Sequence, residues 1–169
     1  MESFSTCLIE KNALLREGMK SLFAGTNFKV IRAYSNIDSP EMTNEGKDKI
    51  SLVIIGIDDD TDDPAQSINS IREYYPDSRI AVLSSDTDID FIALCFSAGA
   101  DGYFARDISP NSLLNSLNMV MAGEKICPAF VLAMILKNNV AMDGKQPDYD
   151  LSRREMEVLE HLASGQTNK

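Results

Sequence analysis

"ISLVIIGI", residues 50–57, is a nearly continuous apolar run with Gly56 near its exit, and it stops at Asp58, Asp59 and Asp60. An apolar run of this length without polar alternation suits a strand covered on both faces, as in a parallel sheet flanked by helices. "RIAVLSS" at 79–85 has the same character. Working outward, "FSTCLIE" at 4–10 and "FKVIRAY" at 28–34 also read as strands, and Leu15, Met19, Leu22 and Phe23 recur between them at helical spacing. Ile68, Ile71 and Tyr75 make a helical stripe closed by Pro76, and Ile89, Ile92, Ala93 and Phe96 make another closed by Gly99. A short strand, "GYFA" at 102–105, precedes "SPNSLLNSLNMVMAG" at 109–123, where Ser109 is placed to cap a helix, Pro110 to occupy its first position and Gly123 to end it. With the weak segment "SPEMTNEG" at 39–46 taken as the second helix, five strands alternate with five helices. That order predicts an α/β fold, a doubly wound parallel sheet with functional residues at the carboxyl ends of its strands.

The 169 residues suffice for one ordinary domain and part of another, with a core that needs no disulfide or metal. Sixteen basic against twenty-six acidic residues give a net charge of −10, which excludes a chain that coats nucleic acid along its whole surface. Cys7, Cys95 and Cys127 are odd in number and lie among apolar residues, so they are expected as buried thiols in a reducing, cytoplasmic compartment. No signal sequence is visible, and "AFVLAMIL" at 129–136 is too short to span a membrane. After Gly123, "PAFVLAMILKNN" at 128–139 reads as an apolar helix and "VAMDGKQPDYD" at 140–150 as a polar linker. "LSRREMEVLEHLASG" opens a further helix, with Ser152 and Glu155 as a capping box.

Three stretches carry a resemblance: "LLREGMKSLF" at 14–23, "SAGADGYFARDISPNSLLNSL" at 97–117 and "LSRREMEVLEHLASGQTNK" at 151–169. Together they make the chain similar to NarL/FixJ-type response regulators, a receiver domain followed by a LuxR-type helix-turn-helix domain. The resemblance implies a flavodoxin-like (βα)5 receiver over residues 1–125, a linker helix and flexible linker over 126–150, and the start of an incomplete DNA-binding domain over 151–169. Such receivers use an acid pair after the first strand to hold magnesium, an aspartate ending the third strand to accept phosphate, a hydroxyl ending the fourth and a lysine after the fifth. Carried onto this chain, those positions are Glu10 and Lys11, Gly56, Ser84, and Arg106. Tyr103 falls on the aromatic switch position of the fifth strand.

The departures bear on the chemistry. Phosphoryl transfer to a carboxylate needs a nucleophile in line with the donor and a cation held by several oxygens. Gly56 offers no nucleophile, and Lys11 puts a cation where a metal ligand belongs, so Glu10 is left as a weak candidate ligand and Mg²⁺ is not expected. Arg106 keeps the positive charge as a planar fork suited to pairing with a carboxylate. Asp58 is the possible substitute acceptor: it shares a face with residue 56 in an extended strand but lies about 7 Å farther along. The plainer reading makes "DDDTDDP" a solvated loop and helix lead-in, its acids favoured near a helix N-terminus.

The remaining candidates have ordinary readings. His161 has no second histidine nearby and reads as a surface residue; Ser84 and Ser85 suit a turn; Tyr103 suits an edge-strand contact. Met119, Met121 and Met134 read as core and helix-contact residues, a composition that also suits dimerisation. The final stretch, with three cations (Arg153, Arg154, Lys169) against three acids (Glu155, Glu157, Glu160), is neutral, and in the resembled fold the base-reading helix comes later than Lys169. The residues given are therefore expected not to bind DNA specifically; DNA would be a partner of a full-length C-terminal domain.

The function expected is that of a non-enzymatic transcriptional regulator with an unphosphorylated receiver, acting as a homodimer or through a partner or ligand. Two alternatives are a conventional receiver phosphorylated at Asp58 or a neighbouring acid by a sensor kinase, and an adaptor that binds no DNA.

Overall fold

The computed structural model describes residues 2–39, 49–57 and 63–142, with the side chains of 138–142 left aside. Five strands, β1 (Phe4–Ile9), β2 (Phe28–Tyr34), β3 (Leu52–Gly56), β4 (Arg79–Ser84) and β5 (Gly102–Ala105), form one parallel sheet in the order β2-β1-β3-β4-β5. Four helices connect or follow them: α1 (Ala13–Phe23), α2 (Pro64–Tyr74), α3 (Ile89–Ser97) and α4 (Pro110–Met121). A fifth, α5 (Ala129–Met142), begins a separate unit: the chain divides into compact units at Met1–Cys127 and Pro128–Lys169. This is the doubly wound, flavodoxin-like order, whose loops at the carboxyl ends of the strands gather at one edge. The segment proposed as a second helix, 39–46, lies outside the described residues except for Ser39. Asp58, His161 and the whole stretch 151–169 also fall outside them.

The central strands are buried on both faces, which is why they are written without polar alternation. Leu8, Leu52, Ile54, Ala81, Leu83 and Phe104 pack into one core with Met19 and Phe23 of α1 and Leu113, Leu117 and Val120 of α4. The alternate residues Val53, Ile55, Ile80 and Val82 point the other way and are equally buried. On that side α2 contributes Ile68 and Ile71, and α3 contributes Ile92 and Cys95. The α3 stripe is therefore rotated from the sequence expectation, with Cys95 inward, Ala93 exposed and Phe96 half-buried. Among the described residues no helix is long and apolar enough to cross a membrane.

Two other expectations are corrected. Cys7 and Cys95 are buried, and burial is the main cause that pushes their thiols up to about 12 and about 11, so both stay protonated near neutrality. Cys127, by contrast, is exposed, since it closes the first unit after the last core-forming helix has ended. Met119 is 50% exposed rather than in the core, because Leu113, Leu117 and Val120 at i, i+4 and i+7 already take the inward face of α4.

The helix ends follow local chemistry. Asn12, Asp63, Asp88 and Ser109 each cap a helix with a side-chain oxygen that accepts a backbone N–H. Gly99 and Gly123, just beyond α3 and α4, take φ of 112° and 103°, the left-handed region that other side chains resist. Ser109 accepts from the Ser112 N–H at 3.3 Å and is followed by Pro110 at the first helical position. Ser109→Ala is expected to lower the stability of the protein by about 1 kcal/mol in urea unfolding, whereas Ser109→Asp should be near neutral. Equal losses in both variants would mean that capping does not hold this end of α4.

Candidate functional site: an ion pair over Gly56

β1, β3, β4 and β5 run parallel, so their carboxyl ends bring Glu10, Gly56, Ser84 and Arg106 to one edge of the sheet. Register sets their depth: Ile9 pairs with Ile55, Gly56 with Leu83, and Ser84 with Ala105. Glu10 and Arg106 each follow their strand by one residue. Gly56 is the last residue of β3.

Glu10 is 2% exposed and does not stand alone. One carboxylate oxygen, Oε2, accepts from Arg106 Nη1 at 2.8 Å, while Oε1 accepts the backbone N–H of Asn12 at 2.8 Å. The Glu10 carbonyl accepts from Arg16 Nη1 at 2.6 Å, and the Glu10 N–H donates to the Tyr34 carbonyl at 3.0 Å. Arg106 in turn donates its backbone N–H to the Ser84 carbonyl at 3.1 Å. The ion pair thus clasps the exit of β5 to the turn that begins α1, across the end of β3.

This clasp occupies the room that a side chain at residue 56 would use. A Cβ placed on Gly56 would collide with Glu10 Oε2 and would lie 2.9 Å from both Glu10 Cδ and Arg106 Nη2. A left-handed backbone is not what calls for glycine at residue 56, because its φ is not in the positive region where Gly25, Gly99 and Gly123 lie. Its missing side chain is what admits the Glu10 carboxylate. The carboxylate at the end of β3 therefore comes from β1, held by hydrogen bonds and by a guanidinium.

A divalent cation fits this arrangement poorly. Hard cations such as Mg²⁺ require oxygen ligands with open lone pairs. The Glu10 carboxylate is already bonded to Arg106 and Asn12. Lys11 is exposed and adds positive charge beside it. Among the described residues, no group of three or more His, Cys, Asp or Glu side chains is placed to hold a metal ion.

Ser84 and Tyr103 lie beside the clasp and fix the β4–α3 turn. The Ser84 hydroxyl accepts the Asp86 N–H at 3.1 Å, and the Tyr103 hydroxyl donates to the Asp86 carbonyl at 2.9 Å. The Tyr103 ring is 1% exposed and meets Phe91 edge-on, with centroids 6.4 Å apart. Tyr103 is thus turned inward, its hydroxyl bonded to one side of the Asp86 residue while Ser84 holds the other.

Sequence reasoning missed a second charged group at the opposite edge of the sheet. Asp101, buried just before β5, accepts the Ile80 N–H at 2.9 Å and pairs with Lys125 at 2.9 Å and Arg79 at 3.2 Å. Arg72 lies 3.9 Å away and donates to the Gly99 and Ser78 carbonyls. In the sequence the one signal was an aspartate set between Ala100 and Gly102, at the mouth of an apolar strand.

No family model matches the chain. The nitrate/nitrite response regulator protein NarL of Escherichia coli (strain K12) is 27% identical over 172 residues, covering 99% of this chain and 79% of NarL. The fimbriae Z protein of Salmonella typhimurium is 26% identical over 162 residues, covering 96% of this chain and 70% of its own length. Among solved structures, a LuxR-family two-component response regulator from Aurantimonas sp. SI85-9A1 superposes with a TM-score of 0.70 at 17% identity, over 82% of this chain and 99% of the other. The RcsB response regulator of Salmonella typhimurium gives 0.68 at 19% identity, over 99% and 80%. With relatives along almost the full chain and a sheet in the same doubly wound order, the homologues of this protein are the NarL/FixJ/LuxR-type response regulators.

Proposed function

We propose that this protein is a transcriptional regulator of a signalling pathway whose receiver domain, residues 1–125, takes no phosphoryl group and acts through dimerisation or through a bound partner. One observation carries the reading: the space over Gly56 is filled by the Glu10–Arg106 pair. A phosphoryl acceptor at residue 56 would need both a carboxylate on Gly56 and the expulsion of Glu10. It would also need a cation to offset the phosphoryl charge, and Arg106 is committed to Glu10 while Lys11 opposes a metal. Ser84 and Tyr103, the other two members of the pocket, are bonded to the Asp86 backbone and so keep that turn in place without any added group.

DNA binding belongs to this reading through the region from residue 151 onward, together with the later helices of a LuxR-type domain. The linker of 126–150 would join the two parts. RcsB, a relative in fold, has been solved in complex with DNA.

The test is direct. The full chain is incubated with acetyl phosphate and Mg²⁺, and its intact mass is followed. No adduct is expected under conditions in which a conventional receiver is labelled. A stoichiometric phosphoryl adduct overturns the proposal, and mapping it to Asp58 would establish instead a working receiver with a displaced acceptor.

A further inference from the structure

The chain leaves the sheet by way of β5, an edge strand. Gly123 ends α4, and residues 124–127 then meet the outer side of β5 before Pro128 and α5. The contact is one parallel bridge, Gly102 with Ile126: the Ile126 N–H donates to the Asp101 carbonyl at 3.1 Å, and the Tyr103 N–H donates to the Ile126 carbonyl at 2.8 Å. Lys125 adds its ammonium, which donates to the Ala100 carbonyl at 2.8 Å and to the Asp101 carboxylate at 2.9 Å. Asp101 therefore holds this strap through its backbone and its side chain together. It is itself fixed to β4, donating its N–H to the Ile80 carbonyl at 2.8 Å and accepting the Ile80 N–H at 2.9 Å.

We propose that residues 124–127 form a releasable latch, which opens from β5 as a unit without unfolding the sheet and so sets the length of free chain between the sheet and α5. The plainest use of such a strap is to cover an edge strand. A cover needs permanence, and this strap is built otherwise. Ile126 packs on the core only partly buried, Glu124 and Cys127 are exposed, and the Lys125 side chain is 58% exposed. A short segment with so little buried apolar surface opens at a fraction of the cost of global unfolding. Its bounds suit the motion: Gly123 takes a φ of 103° that other side chains resist, and Cys127 is the last residue of the first compact unit. Asp101 stays in place when the strap leaves, since its bonds to Ile80 and Arg79 do not involve the strap. Release frees Lys125–Pro128, roughly 13 Å of extended chain. In a protein made of two units, that length limits which arrangements of the two are within reach. The latch lies at the opposite edge of the sheet from the clasp over Gly56, and its use does not depend on whether the receiver takes phosphate.

Amide hydrogen exchange of the full chain tests the proposal. The Ile126 and Tyr103 amides are expected to show matching protection, on the order of a hundredfold less than that of the Asp101 amide, which β4 holds. Lys125→Met should lower the protection of both by roughly fivefold, the upper range for an exposed ion pair, with the Asp101 amide and the thermal midpoint unchanged; Lys125→Arg should restore it. Cys127 is exposed while Cys7 and Cys95 are buried, so a nitroxide attaches there selectively, and its mobile fraction should rise in Lys125→Met. The proposal is overturned if Ile126 and Tyr103 are as protected as Asp101, if their protections differ from each other, if Lys125→Met leaves them or the nitroxide unchanged, or if it lowers the Asp101 protection and the thermal midpoint along with them.

Discussion

Arg106→Met is expected to destabilise the protein by about 3–5 kcal/mol, because it leaves a buried carboxylate without its counter-charge. Glu10 keeps the Asn12 N–H as a donor, which favours the lower end of that range. Methionine fills much of the volume of the arginine stem, so the loss reports charge and hydrogen bonding more than a cavity. Adding Glu10→Gln should recover a large part of it, since a neutral amide has no charge to leave uncompensated. Gly56→Ala tests the same clasp from the strand side. At a backbone conformation open to any residue, alanine ordinarily stabilises by about 0.4–1 kcal/mol through the unfolded chain. Here its Cβ must displace the Glu10 carboxylate, and a net loss of roughly 1–3 kcal/mol is expected. In a Glu10→Ala background that loss should vanish or change sign, a coupling that urea unfolding of the four species measures. Equal cost of Gly56→Ala in both backgrounds would show that the pair does not fill the space.

The fold was legible wherever one physical requirement dominated a segment. The runs at 50–57 and 79–85 had to be central strands because nothing polar interrupts them, and they are β3 and β4. Ser109, Pro110 and Gly123 bounded α4 because capping and φ preference act within a few residues. Properties set by packing between distant segments were harder to read. Met119 and Cys127 are ordinary core residues by type, and their exposure depends on which helix face turns inward and on where the first unit ends. At the site, Arg106 could be read as a partner for some carboxylate. That Glu10 would stand in the room left by Gly56 required the depth of three strands in the sheet, which register supplies and sequence does not. Asp101 was missed for the same reason, as Arg79, Lys125 and the Ile80 N–H converge on it only after β4 and β5 pair.

Asp101 leads to the second large effect. Asp101→Ala is expected to cost roughly 2–4 kcal/mol, most of it from the Ile80 N–H, which is buried and would lose its acceptor. The cations contribute less, since Arg79 and Lys125 are well exposed and regain water when released. Asp101→Asn separates the two parts, because an amide oxygen can still accept from Ile80 while the charge is gone; a loss about half as large is expected. The charge has its own signature in pH. Burial acts to raise the Asp101 carboxyl, but the Lys125 hydrogen bond, the Ile80 N–H and the nearby charges of Lys125 and Arg79 outweigh it, so the group lies below its ordinary value of 3.8. The unfolded chain then binds the proton more readily than the folded one. The contribution is therefore fully present above the ordinary carboxylate range and is lost as pH falls through the lowered folded value. Stability measured across the acid limb should fall less steeply in Asp101→Asn than in the parent, with the two curves converging at the lowest pH. Parallel curves would mean that Asp101 holds the β4–β5 edge through hydrogen bonds alone, with its three cations as bystanders.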